Sequence, residues 1–144
     1  MQSEFSLPER LSHTFSVPPE AIDRNGHVNN VEYVKWMQDL AVKHWHTVGG
    51  QAVNEENQAT WVARSHHIEY LRPAFEGDEL EAITWVNNMR RVRSLRKYAF
   101  RRLDDGKVVA RGETDWVFVD VKDGRPKAIP ESVNDILPLS EDPV

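Results

Sequence analysis

Between Ala21 and Tyr33 the chain sets a carboxylate at Asp23, an amide at Asn25 and an imidazole at His27 just ahead of a segment with strong amphipathic spacing. The three side chains therefore stand where a helix begins. Helix starts present unpaired backbone N–H groups and a partial positive charge, so an oxygen that develops negative charge is stabilised there. A carboxylate positioned beside such a site can act as general base or as nucleophile. Taken singly, Asp23 and Asn25 are ordinary turn residues following Pro18-Pro19, and His27 is an ordinary loop histidine. Their joint spacing carries the argument.

That spacing, Asp-x-Asn-x-His-Val-Asn-Asn-x-x-Tyr from Asp23 to Tyr33, resembles the active-site signature of hotdog-fold thioesterases. The acyl-ACP thioesterase branch matches at Asp23, Asn25 and His27, and the 4-hydroxybenzoyl-CoA thioesterase type at Asp23, Gly26 and Tyr33. A second patch, Ile68-Glu69-Tyr70-Leu71-Arg72-Pro73-Ala74 with Gly77-Asp78, is similar to the strand, proline and turn that follow the helix in the same families. The resemblance covers most of residues 10–130 and implies one hotdog domain over 1–144. It also implies that Asp23 serves as base or nucleophile, that His27 orients or deprotonates, and that Asn25 holds a water or the acyl oxygen. The backbone N–H near Asn30 would be the oxyanion donor, and Tyr33 would lie in the substrate site. The plant acyl-ACP enzymes carry a cysteine in a later strand, whereas this chain has none, so the carrier stays open between CoA and ACP.

Composition narrows the chemistry. With 144 residues the chain can bury one modest core, so a large substrate site would be a groove or would be shared between subunits. The absence of cysteine removes disulfides, Cys-type zinc sites and thiolate nucleophiles. A formal net charge of -5 argues against a general nucleic-acid binder, which needs positive charge to replace phosphate counterions. No apolar run is long enough to span a membrane. The start, Met1 to Ser6, lacks the basic and apolar regions of a secretory signal, so a cytoplasmic location is expected. No metal or organic cofactor is expected. His13, His44 and His46 have no ligand spacing, and His44 falls on an apolar helical face as a packed histidine.

The elements that must position the cluster can be read from periodicity. Alternation predicts a strand over Leu11–Val17, stopped by Pro18-Pro19. A helix is predicted from Asn30 to Val48, capped by Asn29 or Asn30 and ended by Gly49-Gly50. Its apolar face, with Tyr33, Trp36, Met37, Leu40, Ala41, His44 and Trp45, spans about half of the circumference, as on a helix wrapped by something concave. Residues 51–59 read as polar loop. Four strands follow, Trp61–Arg72, Glu79–Asn88, Arg93–Leu103 and Val108–Val121, with turns at Gly77-Asp78, Asn87-Asn88 and Asp105-Gly106. One strand, one long helix and an antiparallel run make an α+β fold. The resemblance implies the sheet curled round the helix.

Arg90, Arg91, Arg93, Arg96 and Lys97 form the densest basic run. Such a run is either a solvated strand edge or a landing site for the phosphates of CoA or phosphopantetheine, where Arg supplies paired donors. His66, His67 and Glu69 stand on the strand that faces a partner's site in hotdog proteins, with two of the three expected on a solvated face. The resemblance implies acyl-CoA or acyl carrier protein as the substrate-bearing partner, and a homodimer or homotetramer. The rivals are a noncatalytic acyl-binding module on the same fold and a hydratase, whose catalytic pattern is not found.

Overall fold

The computed structural model describes residues 3–144; Met1 and Gln2, the first residues read for a secretory signal, lie outside them. Strands β1 (Ser3–Leu7) and β2 (Arg10–Ser16) form a hairpin, followed by helix α1 (Asn30–Thr47) and helix α2 (Gly50–Asn57). Then come β3 (Ala59–Tyr70), β4 (Glu79–Met89), β5 (Arg93–Arg102), β6 (Val108–Asp120) and the single turn α3 (Val133–Ile136). The six strands make one antiparallel sheet in the order β1-β2-β4-β5-β6-β3. The sheet curls round α1 in the hotdog arrangement.

Helix α1 forms because its apolar residues recur on one wide face. Tyr33, Met37, Leu40, Ala41, His44 and Trp45 are all buried, while Lys35, Asp39, Lys43 and His46 stay outside. The inner sheet surface meets it with Leu11, Phe15, Leu80, Ala82, Tyr98, Phe100 and Ala110. At Gly112 on β6 an added Cβ would come within 2.7 Å of the Met37 sulfur, so the absent side chain lets helix and sheet approach. The outer face of the sheet is strapped by the C-terminal segment. There Val144 packs on the cluster of Ile83, Trp85 and Ala99, Trp85 donates its indole N–H to Asp142, and Ser140 N–H bonds Val86 O.

The structure corrects the sequence reading in three places. Residues 50–57, read as polar loop from 51 onward, form α2; only Val53 and Gly50 are buried on it, too few to leave a period. Gly49 does end α1 in the left-handed conformation at φ 89°, but Gly50 starts the next helix. The Asn87-Asn88 turn is a bulge inside β4: Asn88 Oδ1 accepts from Leu95 N–H and its carbonyl from Ser94 Oγ, and the chain reverses at residues 90–92. Strand β1 was not anticipated, because four of its five residues are exposed and its pairing with β2 leaves no apolar alternation.

Candidate active site

The loop between the turn at Pro19–Ala21 and α1 is closed by its own backbone. Asp23 N–H bonds His27 O at 2.8 Å, Gly26 N–H bonds Asp23 O at 3.0 Å, and Ile22 and Val28 form an isolated bridge. Gly26 takes φ 82°, a conformation that a residue with a Cβ rarely adopts, which permits the tight reversal. Val28 N–H is anchored to Ala74 O and Asn29 N–H to Ala21 O, both at 2.8 Å. The loop is thereby fixed against the second sequence patch. Asn29, whose side chain accepts from Val31 N–H at 3.1 Å, is the N-cap of α1.

The half-buried Asp23 side chain turns back into this loop. Its Oδ1 accepts from Asn25 N–H at 2.9 Å and from His27 N–H at 3.4 Å. Both bonds fall on one oxygen, which fixes the rotamer and leaves Oδ2 without a hydrogen-bond partner among the described residues. The His27 imidazole does not bond that carboxylate; its ring packs edge-on against Phe75, centroids 5.4 Å apart. Asn25 is exposed, and it meets Asp23 through its backbone.

Beside the loop, a cavity of about 220 Å³ opens at the start of α1, lined by His27, Asn30, Tyr33, Tyr70, Arg72 and Pro73 among others. Asn30 is the first residue of α1, so its N–H is one of the amides that have no acceptor within the helix. Its carbonyl accepts from Tyr70 Oη at 3.3 Å, tying the end of β3 to the helix start. The Tyr33 hydroxyl is buried with no partner among the described residues. Burial pushes it up to about 12, with the neighbouring Tyr70 acting in the same direction, so Tyr33 is a neutral donor at physiological pH. Aromatic rings cluster here: Tyr33 meets Trp36, Tyr70 and Phe100 at centroid distances of 5.4, 5.6 and 5.1 Å.

The structure therefore brings Asp23, Asn25, His27, Asn30 and Tyr33 to one end of α1. It also adds Tyr70, which the sequence offered only as a member of the second patch, and Phe75, which the sequence reading did not single out. Arg90, Arg91 and Arg93 lie elsewhere. Strand β4 begins level with the Asp23 loop, where Val17 N–H bonds Asp78 O, and ends at the basic turn, so that turn is at the opposite end of the sheet, roughly 30 Å away. The basic run is also divided. Arg93 pairs with Asp115 through bonds of 3.2 and 2.5 Å, Lys97 reaches Asp142 on the outer face, and Arg96 is buried beneath α1 with only 4% exposure. Arg90 and Arg91 remain exposed. A bulge between Ala63 and Ser65 sorts the polar group on β3: His66, Ile68 and Tyr70 share a face with the inward residues of β6, while His67 and Glu69 line a depression on the outer face. Among the described residues no three His, Asp or Glu side chains gather as a metal ion would require, and no helix is long and apolar enough to cross a membrane.

A six-stranded antiparallel sheet round one helix, with a carboxylate-bearing loop at the helix start, is the layout of a hotdog protein. Residues 17–137 match the thioesterase-like superfamily, and the chain belongs to that family. A search of curated protein sequences finds no match. Among solved structures, a Staphylococcus aureus protein in complex with CoA superposes with a TM-score of 0.80 at 20% identity, covering 98% of this chain and 94% of that one. An acyl-ACP thioesterase from Bacteroides thetaiotaomicron gives a TM-score of 0.80 at 23% identity, with 92% of this chain but only 57% of the other covered. A 1,4-dihydroxy-2-naphthoyl-CoA thioesterase from Synechocystis gives 0.75 at 14% identity, over 86% of this chain and 94% of that chain. At these identities the likeness is one of fold.

Proposed function

We propose that the protein hydrolyses acyl thioesters, with Asp23 as the reacting carboxylate. The observation that carries this reading is the Asp23 carboxylate held by its own loop amides ahead of α1, in a loop whose His27 lines the cavity at Asn30. The thioester carbonyl sits at that helix start, where the Asn30 N–H and the helix dipole stabilise the oxyanion. Asp23 either takes a proton from the attacking water or attacks the carbonyl carbon itself; the thiolate leaves in both cases, and in the second water then hydrolyses the acyl–aspartyl anhydride to the free acid and the Asp23 carboxylate. His27, Asn25 and Tyr33 bind and orient the acyl oxygen or the water.

The carrier is a CoA or ACP thioester. The bound CoA of the Staphylococcus aureus protein supports the first and the Bacteroides enzyme the second. A homodimer reconciles the distant basic turn with this chemistry. Strand β3 is a 12-residue edge strand, exposed from Val62 to His67, and Val62, Tyr70 and Leu71 expose 44%, 44% and 46% of their surface along and just beyond it. Such an edge is a template for pairing. Two β3 edges joined antiparallel put the start of one level with the end of the other. Since the start of β3 is level with residues 90–92, the partner's basic turn then lies at the same end as Asp23. Phosphates could bind there while the thioester reaches the helix start.

The test is a thiol-reagent hydrolysis screen over short, long and aromatic acyl-CoAs, repeated with Asp23→Asn. Folded Asp23→Asn enzyme should lose at least ~10²-fold in turnover. Turnover near wild type would remove Asp23 from the reaction, and silence of the wild-type protein on every thioester, with binding retained, would leave an acyl-binding module.

A further inference from the structure

Under the C-terminal half of α1, about three helical turns from the Asp23 loop, a second pocket of about 180 Å³ is walled by Trp45, Trp61 and Trp116. Ser94 and Arg96 also line it, and the half-exposed Val42 lies at its rim. Its chemistry is one-sided: among the described residues no Asp or Glu lines it. Arg96 is 4% exposed, and among the described residues no carboxylate pairs with it. Among the described residues its hydrogen bonds leave from Nη1 alone, to His44 Nδ1 at 2.9 Å and to Thr84 Oγ1 at 3.0 Å. The His44 Nε2 lies 3.0 Å from Pro8 O, so that nitrogen carries the proton and Nδ1 accepts from the guanidinium. The imidazole is thus a neutral partner and leaves the charge uncompensated. The Trp61 indole N–H is buried with no acceptor among the described residues.

A buried cation without a counterion carries a large desolvation cost, and an orphaned indole donor adds to it. Both groups belong to the same aromatic pocket, which exceeds the ~150 Å³ that houses benzene in an engineered cavity. We propose that this pocket is a binding site for an organic carboxylate with a flat apolar body, the carboxylate meeting the free Arg96 donors and the body lying among the three tryptophans. The guanidinium fork matches a carboxylate in two parallel hydrogen bonds. The ring walls favour a planar body by area and by offset or edge-on packing. The pocket shares no lining residue with the cavity at the start of α1, so the inference stands whether or not Asp23 hydrolyses thioesters.

Titration calorimetry on the full chain with 2-naphthoate and its near-isostere 2-naphthamide tests it. Naphthoate should bind at least ~10-fold more tightly than the amide, the margin expected of a charge-assisted hydrogen-bonded pair. Arg96→Met should abolish that preference. Val42→Trp, made at the exposed rim and so not dependent on core repacking, should remove naphthoate binding while the circular dichroism stays that of the wild type. Asp23→Asn should bind naphthoate as the wild type does. Equal binding of acid and amide, absence of naphthoate binding, undisturbed binding by Val42→Trp, or its loss in Asp23→Asn would each overturn the proposal.

Discussion

Acidification from pH 7 to pH 5 should cost the protein about 2 kcal/mol of stability through His44 alone. In the folded chain, burial and the adjacent Arg96 guanidinium hold this imidazole down at about 4, against an ordinary 6.5. Once the chain unfolds, the ring titrates normally. Between those values the unfolded chain binds a proton that the folded chain refuses. Stability from this group is therefore complete above about pH 6.5 and is lost as pH falls towards 4. At about 1.4 kcal/mol per pH unit, the ~1.5 units between 6.5 and pH 5 give the figure of roughly 2 kcal/mol. The perturbation is His44→Gln, whose carbonyl can accept from Arg96 and whose amide can donate to Pro8 O without titrating. Urea unfolding of both proteins at pH 7 and pH 5 measures the effect as a difference of differences. His13 and His66, also lowered by burial, act in the same direction in both proteins and cancel. Wild type should lose about 2 kcal/mol more on acidification than His44→Gln. Equal losses would show that His44 is not held neutral by its burial and by Arg96, and would undermine the assignment of Arg96 as an uncompensated cation.

Gly50→Ala should destabilise the fold by about 1–3 kcal/mol in urea unfolding, because its Cβ would lie 2.1 Å from the rigid Trp45 ring; a variant as stable as wild type would refute this packing. Replacing Arg90 and Arg91 by Ala should raise KM for acyl-CoA severalfold and spare a pantetheine thioester, whereas equal loss on both substrates would make the turn structural. Sedimentation over a dilution series, with hydrolysis followed in parallel, should find activity falling as the chain becomes monomeric; a fully active monomer would exclude a site completed across β3. In a single turnover in ¹⁸O-water, label appearing in Asp23 would mark it as the nucleophile, and label only in the released acid, with no acyl–Asp23 species trapped by hydroxylamine, would mark it as the base.

What could be read in advance followed from how strongly each residue announces its surroundings. Helix α1 and strands β2 to β6 were legible because burial on one face imposes a period of 3.6 or 2 on many residues at once. The Asp23 loop was legible because its motif and the Gly26 turn are local. Helix α2 and strand β1 were not, since each rests on contacts that involve one or two of its own side chains: Val53 against its core cluster, or a hairpin with β2. The basic run failed for a different reason. Along a strand, neighbouring residues face opposite ways, so Arg96 turns inward to His44 and Thr84 while Arg93 and Lys97, four residues apart on the other face, meet Asp115 and Asp142. Because a bulge at Val86/Asn88 precedes that run and another at Phe100/Arg101 follows it, charge density in the sequence could not say which arginine turns inward. Arg96 turned inward beneath a histidine that the helical period already placed on the apolar face. Of the five cations in that run only Arg96 lines the second pocket, and the packed His44, a neutral partner, holds it there.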